Sequence, residues 1–130
     1  MKTGRDLKTI QRLLVRARWA GRFSTRLAGH YAERLWFTPW PTPMSPSAAE
    51  REKRWLAGTS PLKVPFKGRV LRGFIAGYGP TVLLVHGWGE HAARLGAYVE
   101  PLAGAGMRVV GVTMPAHGDG AKGMTNAFEM

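Results

Sequence analysis

The stretch that decides the fold is Val82-Leu83-Leu84-Val85-His86-Gly87-Trp88-Gly89. Its first four residues are apolar, and such an unbroken run is typical of a strand covered on both faces in a parallel sheet. The run stops at a histidine and two glycines, and glycine lets a backbone turn sharply or approach another group closely. The pattern predicts a buried strand followed by a functional loop.

A helix and a second buried strand are expected after this loop. Residues 93–103 indicate a short helix that ends at Gly104-Ala105-Gly106, and residues 107–114 have the composition of a strand. Strand, loop, helix and strand form a βαβ unit, whose strands run parallel and are joined by a right-handed crossover. Residues 124–130 indicate the first turns of another helix.

Two strands are also expected upstream of the buried strand. Residues 63–67 and 69–75 have strand patterns, and together they predict a hairpin that turns near Gly68. Ligands bind beyond the carboxyl ends of the strands in open α/β sheets. The loops at 86–91 and 115–119 both follow predicted parallel strands, so both are candidate functional loops.

The first third of the chain predicts a basic amphipathic helical segment. Between residue 6 and about residue 36, apolar residues recur at the spacings of three and four that are typical of a helix; they are Leu7, Ile10, Leu14, Ala17, Leu27, Tyr31 and Leu35. Gly21 and Gly29 weaken the pattern, which therefore fits either one kinked helix or two helices.

The chain divides at a run of prolines. Each proline lacks a backbone donor and cannot continue a helix, so residues 1–38 are predicted to be the helical segment and 39–46 a proline-rich linker. Residues 47–130 are predicted to form the α/β domain. That domain would open with the capping box Ser47-Ala48-Ala49-Glu50 and a short helix to about Gly58.

The net charge of +11 belongs to the first half of the chain. Residues 1–72 hold 16 Lys and Arg against 4 Asp and Glu, which gives +12, whereas residues 73–130 hold 3 against 4, which gives −1. Such asymmetry is typical of proteins that contact nucleic acids or anionic membranes. No helix-turn-helix, zinc or RRM pattern accompanies the charge, which disfavours nucleic acid. Peripheral contact of residues 6–36 with an anionic membrane stays an alternative to a helix docked on the protein body.

Composition excludes several classes of protein. The chain has no cysteine, so disulfides, thiolate metal sites and a cysteine nucleophile are excluded. Lys8, Arg12 and Arg16 interrupt any apolar segment of a secretory signal, and a cytoplasmic location, with or without peripheral membrane contact, is expected. His86 and His117 could be considered as metal ligands, but a metal site needs three or four converging ligands. No metal and no cofactor is predicted.

These motifs resemble the amino-terminal part of the α/β-hydrolase fold. The stretch 82–89 is similar to that family's strand and HGxG oxyanion loop, and Pro115-Ala116-His117-Gly118-Asp119 is similar to its PGHGxS-like segment. Gly89-Glu90-His91-Ala92-Ala93-Arg94 is similar to the GEHxxR of the serine-aminopeptidase and monoacylglycerol-lipase branch. The resemblance spans about residues 62–123. Thr113 departs from it, because family members usually carry aspartate there.

The resemblance implies a serine hydrolase, of esterase, lipase or peptidase type, that acts on a carboxylic ester or a similar acyl substrate. It implies that the backbone N–H of Trp88 donates to the oxyanion hole, and that His86 and Gly87 shape the turn.

The resemblance also implies that the catalytic triad is absent from these residues. The family's nucleophile lies in G-x-S-x-G, and none of Ser24, Ser45, Ser47 and Ser60 has glycines two positions to each side. The nucleophile and its partners would lie beyond Met130. The chain is therefore expected to be an amino-terminal fragment that is inactive alone.

A different class of function stays open. The chain could be a non-catalytic α/β module that binds an anionic membrane or partner through its basic helix.

The two loops also carry carboxylates. Glu90 and Asp119 could be catalytic carboxylates or solvated loop residues.

Overall fold

We describe the fold from a computed structural model, which defines residues 3–118 and 123–126. Along these residues the helices are α1 (Thr3–Ala20), α2 (Thr25–Trp36), α3 (Pro46–Trp55), a 3-10 helix (Ala92–Tyr98) and α4 (Val99–Gly104); the strands are β1 (Ser60–Phe66), β2 (Arg69–Ala76), β3 (Thr81–Leu84) and β4 (Arg108–Val112).

The four strands form one sheet in the order β1-β2-β4-β3. β1 and β2 are an antiparallel hairpin, in which Phe66 pairs with Arg69. Lys67 and Gly68 both have positive φ, as a two-residue type I′ turn requires. β2 pairs antiparallel with β4, and β4 pairs parallel with β3, starting at Thr81 opposite Arg108. The predicted α/β class, with a hairpin and a βαβ unit, is confirmed.

The core lies between the sheet and the crossover helices. Phe74, Ala92, Val99 and Val109 are its buried members; the half-buried residues that pack against them are Leu56, Ala76, Leu84, Leu102 and Ala103. A Cβ at Gly111 would overlap the Phe74 ring. The absence of a side chain at Gly111 leaves the space that the Phe74 ring occupies.

β3 is less covered than the apolar run predicts. Among the described strands it pairs with β4 alone, and its side chains alternate between half-buried and exposed. Leu83 and Val85 are 55% and 56% exposed. The prediction of a strand covered on both faces is therefore wrong, because the crossover helices cover one face only.

The basic amphipathic segment is two helices that pack against each other. α1 ends at Ala20, and Ser24 begins α2 by accepting a hydrogen bond from the Leu27 N–H at 3.3 Å. Leu13 of α1 and Tyr31 of α2 are only half-buried, whereas Ala20 at the end of α1 is buried. None of the described helices is long and apolar enough to cross a membrane.

The helix that follows the prolines starts earlier than predicted. Its N-cap is Ser45, whose Oγ accepts from the Ala48 N–H at 3.2 Å, and Pro46 occupies the first turn. Proline is favoured there because its missing N–H would have no helical partner in any case. The predicted cap at Ser47 is wrong. The helix also ends at Trp55 rather than near Gly58.

The crossover helix is divided into two parts. Its first part is a 3-10 helix, and a Cβ on the buried Gly96 would lie 2.9 Å from the Cβ of Trp55. Close packing of α3 against this turn accounts for the glycine.

Near the end of the chain, residues 124–126 are not helical, and residues 127–130, where the rest of the predicted helix falls, lie outside the described residues. The division into three segments stays a prediction.

Candidate functional site

The loops after β3 and β4 lie side by side, as expected for the carboxyl ends of parallel neighbours. The rings of His86 and His117 are 5.0 Å apart, centroid to centroid, and the Trp88 ring stands edge-on to His117 at 5.2 Å. The three ring-bearing residues of the two motifs therefore form one cluster.

His86 joins the two loops. It is 6% exposed, and its Nε2 accepts a hydrogen bond from the Met114 N–H at 2.9 Å. Nε2 must therefore be unprotonated, so the ring proton is on Nδ1, which donates to the Gly87 carbonyl at 2.9 Å. Burial lowers the pKa of His86 below its usual value, although the bond to Gly87 opposes the shift. The neutral His86 ring therefore forms hydrogen bonds through both of its nitrogens and links the two loops.

Trp88 lies at the second position of a tight turn. The Gly87 carbonyl accepts from the Glu90 N–H at 3.2 Å, and Gly89, at the third position, has a φ of 73°. The Trp88 N–H donates to no acceptor within residues 3–118 and 123–126. Its indole is 44% exposed at the rim. An unused backbone N–H at a strand end can donate to a negative oxygen.

Gly89 is held against the segment that precedes α3. A Cβ on Gly89 would lie 2.5 Å from the Trp40 carbonyl oxygen, and the Gly89 carbonyl accepts from the Thr42 N–H at 3.1 Å. The Phe37 carbonyl accepts from the Thr125 N–H at 2.8 Å. The predicted linker has no helix or strand before Pro46, but it packs against the loop that carries Trp88.

A charged cluster supports the loop from α3. Glu52 is 6% exposed, and His91 Nε2 donates to its Oε2 at 2.8 Å. Arg94 Nε lies 3.6 Å from Glu52 Oε1 and donates to Glu90 Oε2 at 2.6 Å. Burial alone would raise the pKa of Glu90, but hydrogen bonds from Arg94 and the Thr42 hydroxyl outweigh it and hold the pKa below its usual value. Glu90 is therefore ionised and paired.

Thr113 has a structural contact of its own. Its hydroxyl oxygen accepts from the Ala92 N–H at 3.1 Å and so caps the start of the 3-10 helix. Aspartate at this place could accept the same bond. A Cβ on Gly118, whose φ is 73°, would lie 2.9 Å from Thr113 Cγ2. Thr113 therefore contacts both loops, through its bond to Ala92 and its packing against Gly118.

His117 is buried with one nitrogen unpaired. Its Nδ1 donates to the Pro115 carbonyl at 2.8 Å, and no described residue bonds to its Nε2. Asp119, the last residue of this motif, lies outside the described residues. No group of three or more His, Asp or Glu side chains within 3–118 and 123–126 could hold a metal ion.

The serines have structural roles in the described part of the chain. Ser24 and Ser45 are helix caps, and Ser47 Oγ lies 3.0 Å from Ser45 Oγ. Ser60 begins β1 opposite Ile75. No described histidine bonds to a serine, and such a pair is the mark of an activated nucleophile.

The sequence motifs identified His86, Gly87 and Trp88 but missed Glu52 and Thr42. Glu52 is one of two glutamates in a basic helix, and only its burial distinguishes it from Glu50. Its partner is 39 residues away in the chain, so no local pattern reveals the pair.

Comparison with known proteins gives a local likeness to a solved structure. No protein-family model matches the chain, and no curated protein matches it. Among solved structures, an epoxide hydrolase from an endophytic Streptomyces is similar to it, with 31% sequence identity and a TM-score of 0.46. The likeness covers 52% of this chain and 20% of that one, so this chain spans about one fifth of the length of that hydrolase.

Proposed function

We propose that this chain supplies the oxyanion loop of an α/β-hydrolase-fold enzyme that acts on a carboxylic ester or a similar acyl substrate. The observation that carries the proposal is the Trp88 N–H, which has no acceptor within the described residues and lies in a turn at the carboxyl end of the parallel strands. When a nucleophile attacks an ester carbonyl, negative charge develops on the carbonyl oxygen. A fixed N–H donor stabilises that charge.

The surroundings of Trp88 are suited to hold such a donor still. His86 ties the loop to the end of β4, and Thr42 binds the Gly89 carbonyl. Glu52 fixes His91 immediately beyond the turn. A donor that is already fixed in place does not have to be reoriented as the reaction proceeds, which is why backbone N–H groups serve well in this role.

By the same proposal, the reaction needs a nucleophile that lies outside these residues. By the resemblance to α/β-hydrolases, it is a serine in G-x-S-x-G, together with an acid and a histidine, encoded beyond Met130. A βαβ unit takes about 30 residues or more. We therefore expect the motif to begin within roughly 20–40 residues of Met130.

The test compares two glycine variants in a chain extended through its own downstream coding frame. Gly89→Ala forces a side chain towards the Trp40 carbonyl and into a strained φ. Gly68→Ala has the same φ of 73° in open space on the hairpin turn. We expect kcat for a soluble ester to fall about a hundred-fold in Gly89→Ala, the usual effect of losing one oxyanion donor, and to stay within a few-fold in Gly68→Ala. Equal kcat values for two folded variants would refute the role of the turn.

The second candidate function is a non-catalytic α/β module. It is supported by the basic helices α1 and α2, since residues 7–36 hold seven basic residues against one acidic residue. A downstream frame without G-x-S-x-G would select this candidate over the hydrolase.

A further inference from the structure

We propose that the turn between α1 and α2 inserts into the surface of an anionic lipid bilayer. We call this surface the hairpin tip and define it as Arg18, Trp19, Arg22, Phe23 and Arg26. The proposal is independent of the oxyanion loop, because it rests on a different element of the protein.

The hairpin tip exposes two large aromatic side chains. Trp19 is 61% exposed and Phe23 is 84% exposed, although the turn that carries them is well defined by backbone hydrogen bonds to Ala20 and Trp19. Trp and Phe are the side chains that enter the boundary between headgroups and acyl chains. The guanidinium of Arg22 lies 5.9 Å from the Trp19 ring centroid.

The charge around the tip complements an anionic surface. Residues 7–36 contain seven basic residues and one acidic residue, Glu33, which gives 7 − 1 = +6; the basic residues are Lys8, Arg12, Arg16, Arg18, Arg22, Arg26 and Arg34. None of the seven forms an ion pair with a described carboxylate. Arginines beside exposed apolar residues can bury their stems while their charged ends contact phosphate headgroups.

One face of α1 continues the surface of the tip. Lys8, Arg12, Val15 and Arg16 line a shallow groove of about 320 Å³. Trp19 is four residues beyond Val15, so the two lie on the same face of the helix. Basic and apolar side chains thus share one face from the groove to the tip.

A lipid surface fits this combination better than a nucleic acid does. A nucleic-acid backbone can neutralise the arginines, but the face includes Val15, and the chain lacks the patterns of the common nucleic-acid-binding modules. A bilayer offers anionic headgroups and an apolar layer beneath them, so it accommodates both kinds of side chain.

The first test measures binding of the full chain to sedimenting vesicles. Neutral phosphatidylcholine vesicles are compared with vesicles in which about one third of the lipid is phosphatidylserine. We expect binding to the anionic vesicles that weakens in high salt, since exposed charges are screened within about 3 Å at 1 M.

The variants separate charge from insertion. Trp19→Ala with Phe23→Ala should reduce the partition coefficient about ten-fold, and Arg22→Gln with Arg26→Gln should reduce it about five-fold per arginine. Tyr78→Ala is the matched control, because Tyr78 is an aromatic residue that is 86% exposed in the turn between β2 and β3. It should bind as the parent chain does. Circular dichroism of each variant is the folding control and should show unchanged helix content.

A second test locates the inserted residue. Brominated lipid chains quench tryptophan fluorescence on contact, so quenching should fall in Trp19→Phe and persist in Trp55→Phe, which alters α3. Four results would overturn the proposal: equal binding to neutral vesicles, unchanged binding by the double aromatic variant, binding to a duplex oligonucleotide without binding to vesicles, or self-association through the tip without binding to vesicles.

Discussion

At the scale of single residues, His86 determines how the two loops meet. Its neutral ring accepts from Met114 and donates to Gly87, so a second ring proton would break the bond to Met114. The motif around His86 was recognisable in the sequence because glycines flank the loop. Its bond to Met114 was not, because the acceptor and donor are 28 residues apart.

We predict that His86 makes stability depend on pH. Burial lowers its folded pKa below the unfolded value of 6.5, so the unfolded chain binds the proton first. Stability from this group is present above pH 6.5 and is lost as the pH falls from 6.5 through the lowered folded pKa, by at most about 1.4 kcal/mol per pH unit. Urea unfolding at several pH values measures the slope of the free energy of unfolding against pH. His86→Gln should flatten it, and His30→Gln, on the exposed surface of α2, should not. Equal slopes in all three proteins would contradict the assignment.

A second prediction concerns Glu52. Glu52→Gln removes a buried charge from beside His91 and Arg94. The side chains of these two partners are 27% and 28% exposed, so water can partly replace the lost contact. We expect a loss of about 1–3 kcal/mol in the free energy of unfolding. Glu50→Gln, an exposed change in the same helix, should stay within about 0.5 kcal/mol of the parent. Matching denaturation midpoints for the two variants would show that the cluster adds no stability.

At the scale of elements, local pattern predicted the type of each structure better than its ends. The hairpin and the βαβ unit follow from alternation and from glycine turns. α3 begins at Ser45-Pro46 rather than at the predicted Ser47, because Ser45 accepts from the Ala48 N–H and Pro46 fits the first helical turn. The 3-10 turn depends on the fit of Gly96 against Trp55, which is a tertiary contact.

The contact of Phe74 with β4 gives a prediction at the same scale. Gly111→Ala places a methyl group into the Phe74 ring and should lower stability by about 1–3 kcal/mol, as overpacking does. Adding Phe74→Leu should recover part of that loss, because the smaller side chain leaves room. Thermal unfolding of the single and double variants decides this. A double variant whose loss equals the sum of the separate losses would contradict the contact.

At the scale of the whole molecule, the basic helical hairpin and the α/β part are joined by a segment that supports the site. Thr42 binds the Gly89 carbonyl, whereas the described helices α1 and α2 end before residue 37. Composition alone marked this segment as a linker, since prolines disrupt regular structure whether or not they are packed.

Two deletions test the role of that segment. Removing residues 1–36 should leave the loops intact, whereas removing residues 1–43 also removes Thr42, but keeps the Ser45 cap of α3, and should loosen them. The readout is hydrogen exchange at the Ala92 and Met114 amides, which bond to Thr113 and His86. Faster exchange only in the longer deletion is expected. Equal exchange in both would mean that the segment does not support the site.

The central proposal, which the comparisons leave untested, is that these residues hold the oxyanion loop of a serine hydrolase whose nucleophile lies beyond them. Its most direct test is labelling by a serine-directed fluorophosphonate, with mass spectrometry to locate the modified residue. The chain extended through its downstream frame should be labelled at the serine of G-x-S-x-G and should hydrolyse esters, while the 130 residues alone should do neither. Labelling of Ser24, Ser45, Ser47 or Ser60 in the 130-residue chain, or an extended chain that takes no label, would contradict the account.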